Sequence, residues 1–143
     1  MIRIIAGGKK SPSWVAEGIT EYEKRLRKPY DVKWEFYEED KLNKILADWN
    51  FKSDEYMILT DERGVNISSI ELSQKLDKKF IEGKNIVIII GGAFGVTEEV
   101  RKKADFVWSF SNLVFPHMLV RVMLIEQIYR AYEIANGGKY HHI

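Results

Sequence analysis

The sequence predicts a single α/β domain, with a mostly parallel sheet and helices on both of its faces. Short β-branched runs alternate with stretches of helical spacing along the whole chain. One of these runs, Ile86–Ile90, is apolar without alternation, as expected of a strand covered on both sides in a parallel sheet. No repeat, linker or low-complexity tract divides the 143 residues, so one domain spans 1–143. A chain of that length buries about two-thirds of its unfolded surface, enough for a real core.

The elements follow in order. Ile2–Ala6 is a β-branched run ending in Gly7-Gly8. Ser11-Pro12-Ser13 offers a helix cap, and Trp14, Gly18, Ile19 and Tyr22 then fall at helical spacing until Pro29 stops the helix. Val32, Trp34 and Phe36 alternate with Lys33, Glu35 and Tyr37, the pattern of a half-exposed strand. Leu42, Ile45, Leu46 and Trp49 indicate a short helix. Tyr56–Leu59 is a strand ending in Thr60-Asp61, with Glu62-Arg63-Gly64 as a turn. Ser68 or Ser69 caps a helix through Phe80, with Leu72, Leu76 and Phe80 on one face and Gly83 as its stop. After Ile86–Ile90 comes Gly91-Gly92-Ala93-Phe94-Gly95, then Thr97 as a cap with Glu98 and Glu99 where the helix dipole favours them. Phe106–Ser111 is a further strand, and Pro116 opens the longest helix, which runs to about Asn136 before Gly137-Gly138.

That last helix carries two apolar stripes, Val122, Ile125, Tyr129, Tyr132 and Val120, Met123, Leu124, Ile128, Ala131. A helix apolar around most of its girth needs a second partner besides the sheet, which points to a homodimer through the C-terminal helix; two neighbours within the chain are the alternative. Glu126 and Arg130, four apart, are placed to pair on the remaining polar strip.

Composition removes several classes of function. The chain is 45% hydrophobic and 30% charged, with a formal net charge of +1. It has no cysteine, which excludes disulfides, thiol nucleophiles and cysteine-held metals. No apolar run approaches the roughly 18 residues of a membrane span, and Met1-Ile2-Arg3-Ile4-Ile5 turns polar too soon for a signal peptide, so no membrane partner and a cytoplasmic location are expected. The near-neutral total conceals a gradient. Residues 1–33 are rich in lysine and arginine, and Glu35–Asp48 is acidic. The basic N-terminal stretch is either a phosphate-facing surface or an ordinary solvated helix.

Two turns carry the chemistry. The strand–Gly91-Gly92-Ala93-Phe94-Gly95–helix unit lets backbone groups approach a ligand at a strand's carboxyl end, although many such glycines only pack strand on helix. It lacks the Gly-Lys-Ser/Thr ending of a phosphate loop and the dinucleotide glycine spacing, and no ribose-binding carboxylate ends the next strand, which disfavours an NAD-dependent oxidoreductase. Ser111-Asn112-Leu113-Val114-Phe115 forms a neighbouring loop, and one beginning at Leu59-Thr60 can complete a slot for a flat heterocycle. The tail Gly137–His142 is too polar for a core, and its paired histidines have no companions that would make a metal site, so no metal is expected.

Taken together, Ile90-Gly91-Gly92-Ala93-Phe94-Gly95, Ser109–His117, Arg121-Val122, Ile125–Ala131 and Tyr140-His141 resemble the RlmH family, small SPOUT-class methyltransferases that methylate N3 of a pseudouridine in 23S ribosomal RNA. The likeness extends to the opening strand, Glu21–Leu26 and Leu59-Thr60-Asp61. It implies a C-terminal part threaded as a trefoil knot, against the usual rule. It also implies S-adenosylmethionine as cofactor, held by Leu59, Gly91, Gly92 and the run Phe110, Ser111, Asn112, Leu113, Val114 and Phe115. The dimer matches the SPOUT habit of pairing through knot helices, each site bordered by the second copy.

The implied reaction must remove an imide proton. His141 is the candidate base, Tyr140 the stacking or hydrogen-bonding group, and Arg121 and His117 lie four apart on one turn where both reach the same side; capping and ion pairing are the alternative for those two. Lys9, Lys10, Arg25 and Lys28 are candidate phosphate contacts to ribosomal RNA. Relatives that end Tyr-His-Arg-Glu put an arginine where this chain has His142, which would then take over the RNA contact. The region after Glu39 is also shorter than in some relatives, leaving less surface for the ribosome. The competing expectation is a catalytically silent ribosome-binding dimer that keeps the cofactor pocket.

Overall fold

The computed structural model describes residues 1–142. Ten elements alternate along it: β1 (Ile2–Gly7), α1 (Ser13–Glu23), β2 (Val32–Tyr37), α2 (Glu39–Asp48), β3 (Glu55–Val65), α3 (Ser69–Ile81), β4 (Asn85–Ile90), α4 (Glu98–Lys103), β5 (Phe106–Trp108) and α5 (His117–Ala135). The five strands form one all-parallel sheet in the order β2-β1-β4-β3-β5.

The central strand explains its own sequence. Ile86, Ile88 and Ile90 face a core shared with Val15 and Ile19 of α1, Leu72 and Leu76 of α3, and Leu124, Ile125 and Ile128 of α5. Val87 and Ile89 face the opposite core, with Leu42 and Leu46 of α2 and Val100 of α4. Both faces of β4 are dry, so period-two alternation has no solvent side to record. Burying a side chain of this size stabilises by about 1.5–3 kcal/mol.

Caps and stops largely follow the sequence. Ser68 accepts from the Glu71 amide at 3.1 Å and Glu71 reaches back to the Ser68 amide, a capping box at the start of α3. Thr97 caps α4. At the end of α5, Gly137 N–H bonds the Ile134 carbonyl and Gly138 N–H the Glu133 carbonyl, closing the orphan acceptors.

Five expectations are corrected. First, α1 ends at Glu23, well before Pro29, because Arg25 and Leu26 tighten into turns on Tyr22 and Glu23 and carry Leu26 into the core. Second, Pro12 occupies the N-cap without a side-chain cap, and Ser11 serves Arg121 instead. Third, the spaced set Trp14, Gly18, Ile19 and Tyr22 does not coincide with the buried face of α1: Val15 and Ile19 bury the inner face and Trp14 stays exposed. Fourth, Glu62–Gly64 is not a free turn. β3 continues through it as a bulge in which Thr60 and Val65 both pair with Trp108, and Gly64 has no room for a Cβ against the Val107 carbonyl. Fifth, β5 stops at Trp108, where the Ser109 amide still reaches the Val65 carbonyl and its hydroxyl turns the chain onto the Ser111 carbonyl.

The terminal helix finds neighbours in its own chain. α5 packs between α1 and α3, with Gly18 against Val122 and the Ser73 hydroxyl on the Ala131 carbonyl at 2.8 Å. Met118, Leu119, Val120, Val122 and Met123 are nonetheless only half-buried. These five form the half-buried apolar face on the N-terminal half of α5, and Tyr132 and Ile134 are half-buried further along it.

Candidate active site

A cavity of about 810 Å³ opens at the carboxyl end of the sheet, the usual place for a ligand in a parallel α/β fold. Three segments wall it: the bulge of β3 from Leu59 to Arg63, the turn Gly91–Val96 after β4, and Phe110–Phe115 after β5. The expected slot is thus present, and Leu59, Gly91, Gly92, Phe110, Ser111, Leu113, Val114 and Phe115 all line it. Asn112 is exposed and does not.

The β4 turn is shaped by close backbone approach. A Cβ on Gly91 would lie 2.9 Å from the Cα of Gly95, and the Gly95 amide donates to the Gly92 carbonyl at 3.0 Å. The first residue of α2 braces the turn from outside, its Glu39 Oε1 accepting from the Phe94 amide at 2.8 Å. That brace was illegible in sequence, because the partners lie 55 positions apart. Around the mouth stand Phe94, Leu113 and Val114, at 92%, 68% and 76% exposure, large apolar groups held in water beside the cavity.

Polar groups enter from two sides. Asp61 is bound by Arg63 at 3.0 Å and Arg101 at 2.8 Å. Burial pushes its carboxyl up, but the hydrogen bonds from Arg63 and the charges of both arginines outweigh this and hold it below the usual aspartate range. His117, the first residue of α5, also lines the cavity. Its Nε2 lies 2.8 Å from where a Cβ on Gly8 would stand, and Gly8 has φ +105°. Arg121 sits behind His117, fully buried and outside the lining, donating to the Gly7 carbonyl at 3.1 Å and the Ser11 hydroxyl at 2.9 Å. Asp61 was named in sequence only as part of the Leu59-Thr60-Asp61 turn, and Arg101 and Trp108 were not singled out, since nothing local marks their convergence.

The tail lies elsewhere. Tyr140 donates to Glu126 Oε1 at 3.1 Å, and Arg130 donates to the same oxygen from Nε at 3.0 Å, so the expected Glu126–Arg130 pair forms. The other arm of Arg130 donates to His141 Nδ1 at 3.0 Å. Tyr140 also packs edge-on against Tyr129, so the tail is not wholly outside the core; burial first, then Tyr22 and Glu126, pushes its phenol well up. Glu126 is nine residues beyond His117, roughly 13 Å along the helix at 1.5 Å per residue. Within one chain His141 and Tyr140 therefore do not reach the 810 Å³ cavity. They flank a second groove of about 470 Å³ containing Tyr22, Met123 and Glu126, whose wall of Trp108 and Phe110 is shared with the first.

The basic candidates are divided as well. Lys9 and Lys10 are exposed in the β1–α1 loop, whereas Arg25 and Lys28 are exposed at the other end of α1, where Arg25 pairs with Glu21 and lies over the Tyr129 ring. His142 is exposed in the tail. Among the described residues no three His, Cys, Asp or Glu side chains gather as a metal site, and no helix is long and apolar enough to cross a membrane.

Comparison with known proteins gives this architecture a family. The family model described as "Predicted SPOUT methyltransferase" matches residues 1–141, and the chain belongs to that family. A solved structure, a probable methylase family protein from Haemophilus influenzae Rd KW20, superposes with a TM-score of 0.60 over 99% of this chain and 70% of its own, at 15% identity, a likeness of fold. Curated relatives named Ribosomal RNA large subunit methyltransferase H narrow the family to its RlmH members. The protein from Caldicellulosiruptor bescii is 39% identical over 99% of both chains. That of Psychrobacter sp. (strain PRwf-1) is 36% identical over 98% of this chain and 97% of its own.

Proposed function

We propose that this chain is an S-adenosylmethionine-dependent methyltransferase of the large ribosomal subunit, acting in the cytoplasm on N3 of a pseudouridine in 23S ribosomal RNA. The observation that carries the reading is the cavity bounded by three strand-end turns in a chain whose near-full-length relatives are named as methyltransferases of that RNA.

The residues present fit the cofactor. The close approach of Gly95 leaves no space for a side chain at Gly91, and the turn borders a cavity within the usual range for a small-molecule site. Leu59, Gly91, Gly92, Phe110, Ser111 and Leu113–Phe115 would hold it, with Asn112 at the mouth. When bound, S-adenosylmethionine supplies an electrophilic methyl group on a sulfonium.

The chain's part is to position the acceptor and deal with its proton. Holding the reacting atoms near contact distance and aligned removes several kcal/mol from the barrier. His141 is the proposed base for the imide proton at N3 and Tyr140 its neighbour against the base. Since both lie beside the second groove of their own chain, we infer a homodimer through the half-buried face of α5, with the tail of one copy completing the cavity of the other. The trefoil threading belongs to the same reading. Arg121 acts as a positioning residue behind His117. Lys9, Lys10, Arg25, Lys28 and His142 contact phosphates.

Labelled S-adenosylmethionine, incubated with large subunits lacking the modification, followed by nucleoside mass analysis, tests this. Methylated pseudouridine is expected. Label on another base keeps the class and rejects the target, whereas subunit binding without transfer identifies a silent binder.

A further inference from the structure

Arg121 is the one charged side chain in the buried class among the described residues, and no carboxylate pairs with it. Its contacts are the Gly7 carbonyl, the Ser11 hydroxyl and the face of Phe36, 4.8 Å from the guanidinium carbon, while its Nε has no partner. A buried cation without an anion is costly unless the structure needs what it holds. What it holds is the β1–α1 loop. Between the two anchors at Gly7 and Ser11 stand Lys9 and Lys10, both exposed. Trp14, three residues beyond Ser11, is 56% exposed, and Phe36, on the neighbouring strand, is 40% exposed. No acidic residue occurs from Met1 to Ala16. The same loop touches the cavity through Gly8 and His117.

We propose that the Arg121-anchored loop, with Lys9, Lys10, Trp14 and Phe36, is a docking surface for a single-stranded RNA segment, and that it presents the target strand to the adjacent cavity. Lysines take phosphates without reading sequence, and exposed aromatic faces stack unpaired bases. The charge of Arg121, uncompensated beneath the loop, adds to the attraction for an anion. A second copy of the chain would not account for Lys9 and Lys10 standing in an acid-free run that ends on the exposed Trp14. This inference rests on the ribosomal reading above and names the surface that reading requires.

Co-sedimentation with unmodified large subunits tests it for the wild type, Lys9→Ala/Lys10→Ala, Trp14→Ala and Trp14→Phe, alongside calorimetric titration with S-adenosylmethionine and light scattering for oligomeric state. Trp14→Ala and the double lysine variant are expected to weaken subunit binding about tenfold or more, as loss of a stacked base or two phosphate contacts would. Trp14→Phe should recover most of the loss. The lysine variant should flatten the salt dependence by about 1.4, two single-strand phosphate contacts at about 0.7 each. Cofactor affinity and oligomeric state should not change. Subunit binding equal to wild type overturns the surface. Dissociation of Trp14→Ala into smaller species overturns it too, by showing an interface between copies. A wild type that sediments with subunits but transfers no methyl group overturns the catalytic reading while the variant series still decides the surface.

Discussion

Gly91→Ala tests the cavity directly. The added Cβ would stand 2.9 Å from Gly95 Cα and 3.0 Å from its carbonyl carbon, where ordinary contact begins at 3.4 Å, so the turn must open by at least 0.5 Å. The obstacle is backbone on both sides and cannot rotate away as a side-chain tip would. Overpacking of this kind costs about 1–3 kcal/mol of stability. Ligand-holding groups, however, need placement to about 0.5 Å, and a 1 Å error can cost a hundredfold. Affinity for S-adenosylmethionine should therefore fall tenfold to a hundredfold, about 1.4–2.7 kcal/mol, while the melting temperature drops by about 2–12 °C and the variant stays folded at 25 °C. Isothermal titration of the folded variant, with calorimetric melting beside it, measures both. Affinity within twofold of wild type would refute the claim that this turn encloses the cofactor.

Further expectations can be checked with similar means. Ser68→Ala removes the α3 capping box and should lower stability by about 1 kcal/mol, about 2–4 °C in melting temperature, without touching cofactor affinity. Asp61, held below the ordinary value near 3.8, contributes stability that is present above that pH and lost as pH falls through its lower folded value. Urea midpoints of wild type and Asp61→Asn should therefore differ at neutral pH and converge toward pH 3. Glu126→Ala frees Tyr140 and removes the carboxylate that orients Arg130. Hydrogen exchange over residues 137–142 should rise, and methyl transfer should fall at least tenfold with cofactor affinity retained.

The elements were legible in the sequence where their cause is local. A cap at Ser68 or Ser69, Thr97, Gly83 and the apolar run Ile86–Ile90 each declare themselves within a few residues, and the structure chose Ser68 with Glu71. The turns that wall the cavity were legible for the same reason, since the glycine cluster Gly91-Gly92-Ala93-Phe94-Gly95 directly follows a buried strand. The misreadings share the opposite cause. The end of α1 depends on Leu26 and Tyr30 turning into a core built from distant elements, and the Glu62–Gly64 bulge depends on Trp108 pairing with two residues of β3. Trp14 follows helical spacing yet points outward, because spacing gives a face but not which face is covered.

By itself the sequence determined a mostly parallel sheet with helices on both faces and glycine-rich turns at the strand ends, because dry strands and glycine punctuation are properties of short segments; that all five strands run parallel was decided by the tertiary structure. Tertiary structure alone decided that Arg121 would lie buried under the β1–α1 loop, that Glu39 would brace the β4 turn, and that Tyr140 and His141 would rest on α5 away from the cavity of their own chain. Those placements join positions 55 to 114 residues apart for Glu39 and Arg121, and for the tail they depend on where a helix end carries it. Contacts of such separation follow from how layers pack, and no local pattern encodes them.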